Sequence, residues 1–461
     1  MNEHAMPMPA YDRLHAWELY SSEMKTEKQQ TIEEGKDIHE FEKLFDAIAE
    51  MPRCAEKARL ADILYELIVK APQRADYAYN EPSELEAIRA LRPAGAGEKK
   101  PLPSLDVLKD KLAGAWYGRV AGCSLGKPVE GIRTNEFEPF LKETGNWPMH
   151  RFILSADVTD DMKDKYKFPL RERSRWMVDQ LSGAPADDDT NYTVLAQLLI
   201  NRFGRDFTPA NMIQFWLDMQ PKNAYCTAER VAFTNAVKGY LPPDTARFQN
   251  PYREWIGAQI RGDYFGYINP GDPEAAADMA WRDASISHIK NGVYGEMFVA
   301  AMLAEAAVTT DGDVARVIET GLKEIPETSR LYEAIRGVIG DFHAGVSQED
   351  AFKKIHEMWD EYTGHGWCHT ISNAMIVAAS LLYGQGDYGK SACMAVQTGF
   401  DTDCNGATVG SIVGMLRGLS SIPEYWTKPF NDTLHTSLFG FTLSTISDMA
   451  EKTLNHIPGL N

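Results

Sequence analysis

Apolar residues recur three and four apart along most of this chain, the spacing that lines one face of a helix. DIHEFEKLFDAIAEM and ARLADILYELIVKA show it within the first hundred residues, and from Ser104 onward helix follows helix. Ser104 is placed to cap the first of these, with Asp106 in its first turn. Strand-like alternation is scarce, and HRFILSADV is its best instance. The pattern predicts an all-α, multi-helix protein. Periodicity breaks between Arg92 and Pro103 at RPAGAGEKKPLP, which is rich in proline, glycine and charge. This stretch reads as a linker. It closes a helical N-terminal extension over residues 1–100 and leads into a main body over residues 101–461.

Two segments carry glycine every fourth residue. One holds Gly114, Gly118, Gly122 and Gly126; the other holds Gly406, Gly410, Gly414 and Gly418. On a helix this spacing puts the glycines along one face. Each interior glycine costs about 1 kcal/mol relative to alanine. Close backbone approach between two helices is the natural compensation, although plain core packing also uses small residues. The first seam runs toward Glu130 and the second begins just after Asp401 and Asp403. If the two helices pack antiparallel, these three carboxylates converge.

A second acidic cluster, Asp187, Asp188 and Asp189, opens an apolar helix that Gly204 stops. One aspartate before a helix is ordinarily an N-cap worth about 1 kcal/mol. Three in a row exceed what capping uses, and adjacent carboxylates repel, so they need solvent or a cation. Two acidic clusters, each at a helix start, point to a shared cation. Its donors would be oxygens of Asp187, Asp188, Asp189, Asp401 and Asp403, with Thr190 and Glu130 as further candidates. Such a set selects Mg²⁺, Mn²⁺ or Ca²⁺ over zinc or copper, and five or more carboxylates suffice for two ions.

Bulk properties narrow the partners. The net charge of −19 and the absence of a Lys/Arg block argue against nucleic acid. No run approaches the length of a membrane span, and the N-terminus lacks the apolar core of a signal peptide. Six cysteines without CxxC pairs form neither a disulfide framework nor a zinc motif. The expectation is a cytoplasmic protein with reduced thiols. Oligomeric state is open.

Taken together, the motifs resemble the ADP-ribosylglycohydrolase family, that of the dinitrogenase reductase-activating glycohydrolase. GRVAGCSLGKPVEG matches its Gly-rich helix ending in P-x-E. Asp187-Asp188-Asp189-Thr190 matches T-D-D-T, and Gly399 to Cys404 matches G-x-D-T-D-S/T. The likeness covers about residues 104 to 440 and leaves the first hundred outside. It implies an all-α fold with a cleft holding two Mg²⁺ ions and cleavage of the C1 glycosidic bond of an ADP-ribosyl group. Asp188, Asp189, Asp401 and Asp403 match metal-binding aspartates, and Glu130 matches a glutamate that acts on substrate or water. Asp187 replaces the usual threonine. Cys404 replaces a Thr or Ser metal ligand, and a thiol suits Mg²⁺ poorly, so Mn²⁺ is an alternative. IRGDYFGYINPG departs from an N-G-x-x-M-R-type loop, which marks a divergent subgroup.

The expected chemistry is metal-assisted glycoside hydrolysis, with Glu130, Asp188 or Asp189 taking the proton of water. Asp263, Tyr264, His288 and Trp367 are candidates for substrate contact. Arg261, Arg282 and Lys290 are candidates for a diphosphate. His365 and His369 have helical metal-ligand spacing, but Gly364 and Gly366 favour a loop there. Cys404 has no cationic neighbour in sequence to activate it as a nucleophile. The substrate would be an ADP-ribosylated protein or a small ribosyl compound. Two other readings are a hydrolase of another furanoside and a catalytically silent member of the fold.

Overall fold

The computed structural model describes residues 8–166 and 176–460. The regular structure of the described residues is almost wholly helical, and the one sheet among them pairs Leu434–Leu438 with Phe441–Ser444. The alternation in HRFILSADV forms no strand; its end is a short 3₁₀ turn, Ser155–Asp157. The observed hairpin was not anticipated, because LHTSL and FTLS are too short for a period-two signal to stand out.

The two glycine helices, Leu105–Gly126 and Thr402–Arg417, pack antiparallel at the centre of the body. Gly114 faces Gly414, Gly118 faces Gly410, and Gly122 faces Gly406. A Cβ added at any of these would fall on the partner's backbone carbonyl, so only glycine permits this approach. The denser backbone contact offsets the entropic cost of the glycines through many small dispersion terms. Gly418 lies one residue past its helix with φ +83°, so it stops the helix while its backbone still packs against Gly114. Ser104 does precede the first helix, but its side chain makes no capping hydrogen bond.

One large apolar core, from Ile88 to Ile457, surrounds this pair. A second, small core lies in the N-terminal segment, where Met24, Phe45, Ile48, Leu64 and Ile68 pack together. Buried polar side chains join it to the body. Arg253 pairs with Glu27 at 2.9 Å, and Gln30 donates to Glu254 at 2.8 Å. The Arg92–Pro103 stretch is pinned rather than loose: Arg92 pairs with Glu274 at 2.9 Å and Lys100 with Glu305 at 2.6 Å.

Residues Gly364–Cys368 form a five-residue helix, not a loop. His365 and His369 both turn their Nε2 atoms to Glu33 of the N-terminal segment, at 2.9 and 3.6 Å. Trp255 Nε1 donates to His365 Nδ1, and the Ile371 amide donates to His369 Nδ1. Both rings therefore carry their proton on Nε2 when neutral; His365 donates it to the carboxylate, and His369 points its own at the same group without reaching hydrogen-bond distance. A metal on Nε2 would force N–H against N–H at Nδ1, contrary to the second-shell acceptor that ligating histidines use. The trio is a docking contact.

Candidate functional site

The site forms where the seams end. The Leu105–Gly126 helix gives way to a 3₁₀ turn, Lys127–Val129, with Glu130 just beyond. Three residues per turn bring positions i and i+3 to one side. Lys127 and Glu130 accordingly pair at 2.8 Å. Opposite them, the second seam helix begins at Thr402 with Asp401 at its N-cap, and Asp403 lies in its first turn.

The preceding turn is unusual. Gly399 has φ +81°, and Phe400, a bulky residue, has φ +58°. Such a left-handed backbone at a non-glycine is costly and persists only when neighbours fix it. Here Trp367 Nε1 donates to the Phe400 carbonyl, and Asn373 accepts from the Asp401 amide at 3.2 Å and from Asn405 at 2.8 Å.

The third motif enters on the helix Asp188–Phe203. Asp187 is its N-cap and accepts from the Asp189 amide at 3.1 Å, so the capping role is real for this one aspartate. Its other oxygen meets Lys127 Nζ at 2.7 Å, and the same Nζ reaches Asp403 Oδ2 at 3.0 Å. One ammonium thus touches carboxylates from all three motifs.

Behind the cluster, buried Arg119 donates to the Asp189 carbonyl at 2.8 Å and pairs with Asp263 at 2.8 Å and Asp189 at 3.4 Å. Asp187, Asp189, Asp401 and Asp403 are buried. Asp188 is half-buried and the Glu130 side chain is 36% exposed, so these two form the rim. Asp189 Oδ2 and Asp403 Oδ1 are buried and make no hydrogen bond to the described residues. Donor atoms of Asp189, Asp403 and Cys404 lie within 4.8 Å of one another, and so do those of Cys123, Asp187 and Asp189.

Electrostatics agree with this crowding. Burial and neighbouring carboxylates raise Asp188, Asp189 and Asp401 well above the usual carboxylate range. Burial also raises Asp187, but the Lys127 ammonium overrides it and lowers its pKa. Glu130 is pushed up to about 7 by burial and by Asp403, against the opposing effect of Lys127. Burial disfavours the charge on Lys127, yet Asp187 and Asp403 hold its pKa well above that of an ordinary lysine. Cys404 is raised by burial and by Asp189 and Asp401, the reverse of what a thiolate nucleophile needs.

The remaining candidates separate. Trp367 borders the Phe400 turn, with the Arg133 guanidinium 4.9 Å above its ring. Among the described residues, Asp263 is tied to the cluster through Arg119. Tyr264 is buried and hydrogen-bonds His456, and His288 is buried beside Ser287 at 2.8 Å. Among the described residues, neither shares a hydrogen bond with the acidic cluster. Arg261 is committed to Glu229 at 2.9 Å and Asp283 at 3.1 Å, and Lys290 and Arg282 are similarly engaged. Sequence reasoning missed Lys127, Arg119, Cys123 and Cys368. The signal for Lys127 was its place three residues before Glu130. Cys368, 3.7 Å from Asp401 Oδ2, had none, because its spacing to the cluster exists only after folding.

A cavity of about 970 Å³ lies one short helix away, lined by Glu33, Tyr77, Arg330, Trp359 and His365. It belongs to the junction with the N-terminal segment rather than to the carboxylates.

The chain matches none of the curated proteins. Among solved structures it is similar to an "ADP-ribosylglycohydrolase-related protein complex", at 20% identity and a TM-score of 0.48, over 76% of this chain and 98% of that one. No helix among the described residues is long and apolar enough to cross a membrane. A family model for ADP-ribosylglycohydrolase matches residues 104–458, a span that holds both seams and all three acidic motifs. The chain belongs to the ADP-ribosylglycohydrolase family.

Proposed function

We propose that this protein hydrolyses the C1 glycosidic bond of an ADP-ribosyl group, on a protein or a small molecule, with a divalent cation held by the acidic cluster. The observation that carries the reading is the pair of buried oxygens Asp189 Oδ2 and Asp403 Oδ1, on two separate helix starts and without a hydrogen-bond partner among the described residues. Buried carboxylate oxygens without partners are expensive, and a cation between them removes the cost. Cys404 beside them suits Mn²⁺ better than Mg²⁺.

When bound, such an ion would polarise water and orient ribose hydroxyls. Glu130, on the open rim, takes the proton of the attacking water. Asp188, also on the rim, stabilises the positive charge that develops at C1 as the substituent departs. Trp367 and Arg133 flank the same turn and offer a stacking face and a cation for the nucleotide part.

One observation favours a second reading. Arg261, Arg282 and Lys290 are all engaged inside the protein, which leaves Arg133 to meet a diphosphate. A furanoside lacking ADP would need no such cation. The test is incubation with Mn²⁺ or Mg²⁺ and a panel of ADP-ribosyl-arginine, ADP-ribosyl-serine, nucleosides and simple furanosides. Release from ADP-ribosyl conjugates alone supports the first reading, and release from plain furanosides supports the second. No turnover of any, with no ion bound, overturns both.

A further inference from the structure

We infer that Lys127 supplies one of the positive charges the acidic cluster requires, so that the cluster takes a single divalent ion rather than two. The inference rests on the reading that the cluster holds a divalent ion at all. It starts from geometry. The Lys127 ammonium lies 2.8 Å from Glu130, 2.7 Å from Asp187 and 3.0 Å from Asp403. An ammonium has three N–H donors, and three carboxylates surround this one. Each comes from a different motif, so the lysine stands at the point where the motifs converge.

Its position is built in. The 3₁₀ turn fixes its backbone at the end of the first seam helix, and its side chain is only 16% exposed. Thr402 Oγ1 bonds the Gly126 carbonyl at 3.0 Å, which holds that turn against the Asp403 helix. An ion seated among Glu130, Asp187 and Asp403 would have to displace the ammonium. One seated close beside it would meet like charge in a poorly solvated interior.

What the lysine leaves defines the other position. Asp403 gives Oδ2 to Lys127 and keeps Oδ1; Asp189 gives Oδ1 to Arg119 and keeps Oδ2. These side chains, with Cys404, form a compact donor group. Lys127 and Arg119, the two side-chain cations paired with the cluster among the described residues, thus flank one remaining place for an ion.

The test is the stoichiometry of Mn²⁺ on the full chain. Chelator-stripped protein is loaded with Mn²⁺, and bound metal per chain is measured by calorimetry and by elemental analysis after desalting. The expected result is one ion in the native protein, one in Lys127→Arg and two in Lys127→Met. Electron paramagnetic resonance of the native protein gives a second readout that needs no variant: an isolated Mn²⁺ signal rather than a spin-coupled pair. Two ions or a coupled pair in the native protein would overturn the lysine inference and leave the hydrolase reading standing. One ion in Lys127→Met with its helical circular dichroism intact would also overturn it. Binding to neither protein would remove the metal reading itself.

Discussion

Thr402 donates its hydroxyl to the carbonyl of Gly126 at 3.0 Å, across 276 residues of chain. This bond closes the end of the glycine seam and sets the register between its helices. With that register, Lys127 and Glu130 on one side meet Asp403 on the other. A shift by one helical turn would move the carboxylates about 5 Å apart along the axis. The seam therefore fixes where these carboxylates stand relative to one another.

Gly410→Val places a branched side chain against the Gly118 backbone. It should destabilise the protein by about 3 kcal/mol or more, read as a lowered urea midpoint. Gly337→Ala and Gly340→Ala are the contrast. Both lie inside the Arg330–His343 helix with open space where a Cβ would go. Each should raise stability by about 0.5–1 kcal/mol. Equal effects at seam and surface positions would refute the close-approach account.

Arg119→Met leaves the buried carboxylates of Asp189 and Asp263 without their shared cation. The expected loss is about 3–5 kcal/mol, measured by chemical denaturation. A variant as stable as the parent would mean that these groups are protonated or hydrated in the folded state.

Asp403→Asn tests the functional reading against a structural one. The side chain keeps its shape and one acceptor for Lys127, while one of several mutually repelling buried carboxylates is neutralised. Turnover on the ADP-ribosyl panel should fall by at least about 10²-fold, with the metal-free melting temperature unchanged or higher. A cooperative loss of folding would instead give Asp403 a structural role.

Glu33 gives a pH prediction at the N-terminal junction. Burial alone would raise its pKa, but His365 and His369, with Gln29, bring it down to about 2 from 4.5. Arg330 also faces it, at 3.9 Å. Because the folded pKa is the lower one, the unfolded chain binds a proton between these values that the folded chain refuses. This stabilisation, about 3 kcal/mol at most, is complete above pH 4.5 and lost as pH falls toward 2. Glu33→Gln should flatten the acid limb of stability across that window. Parallel curves for parent and variant would disprove the linkage.

Much of the site was legible in the chain because its determinants are local. Glycine every fourth residue points to close helix packing, because its cost in a helix calls for some compensation. Three consecutive aspartates before an apolar helix state that capping is not their whole purpose. The all-α class followed from periodicity, which is a property of neighbours three and four apart. Residues Asp263, Tyr264 and His288 show the opposite case. Their types suited substrate contact, but their surroundings depend on packing, and the fold turns them to Arg119, His456 and Ser287.

The sequence by itself thus determined the elements, the seam and the acidic identity of the site, because backbone propensity and side-chain charge act over a few residues. Tertiary structure alone decided that Lys127 reaches three carboxylates at once, that Arg119 neutralises two from behind, and that Glu33 docks between two histidines. Those pairings join positions tens to hundreds of residues apart. Coulomb energy depends on distance in space and on burial, and neither exists until the helices have packed.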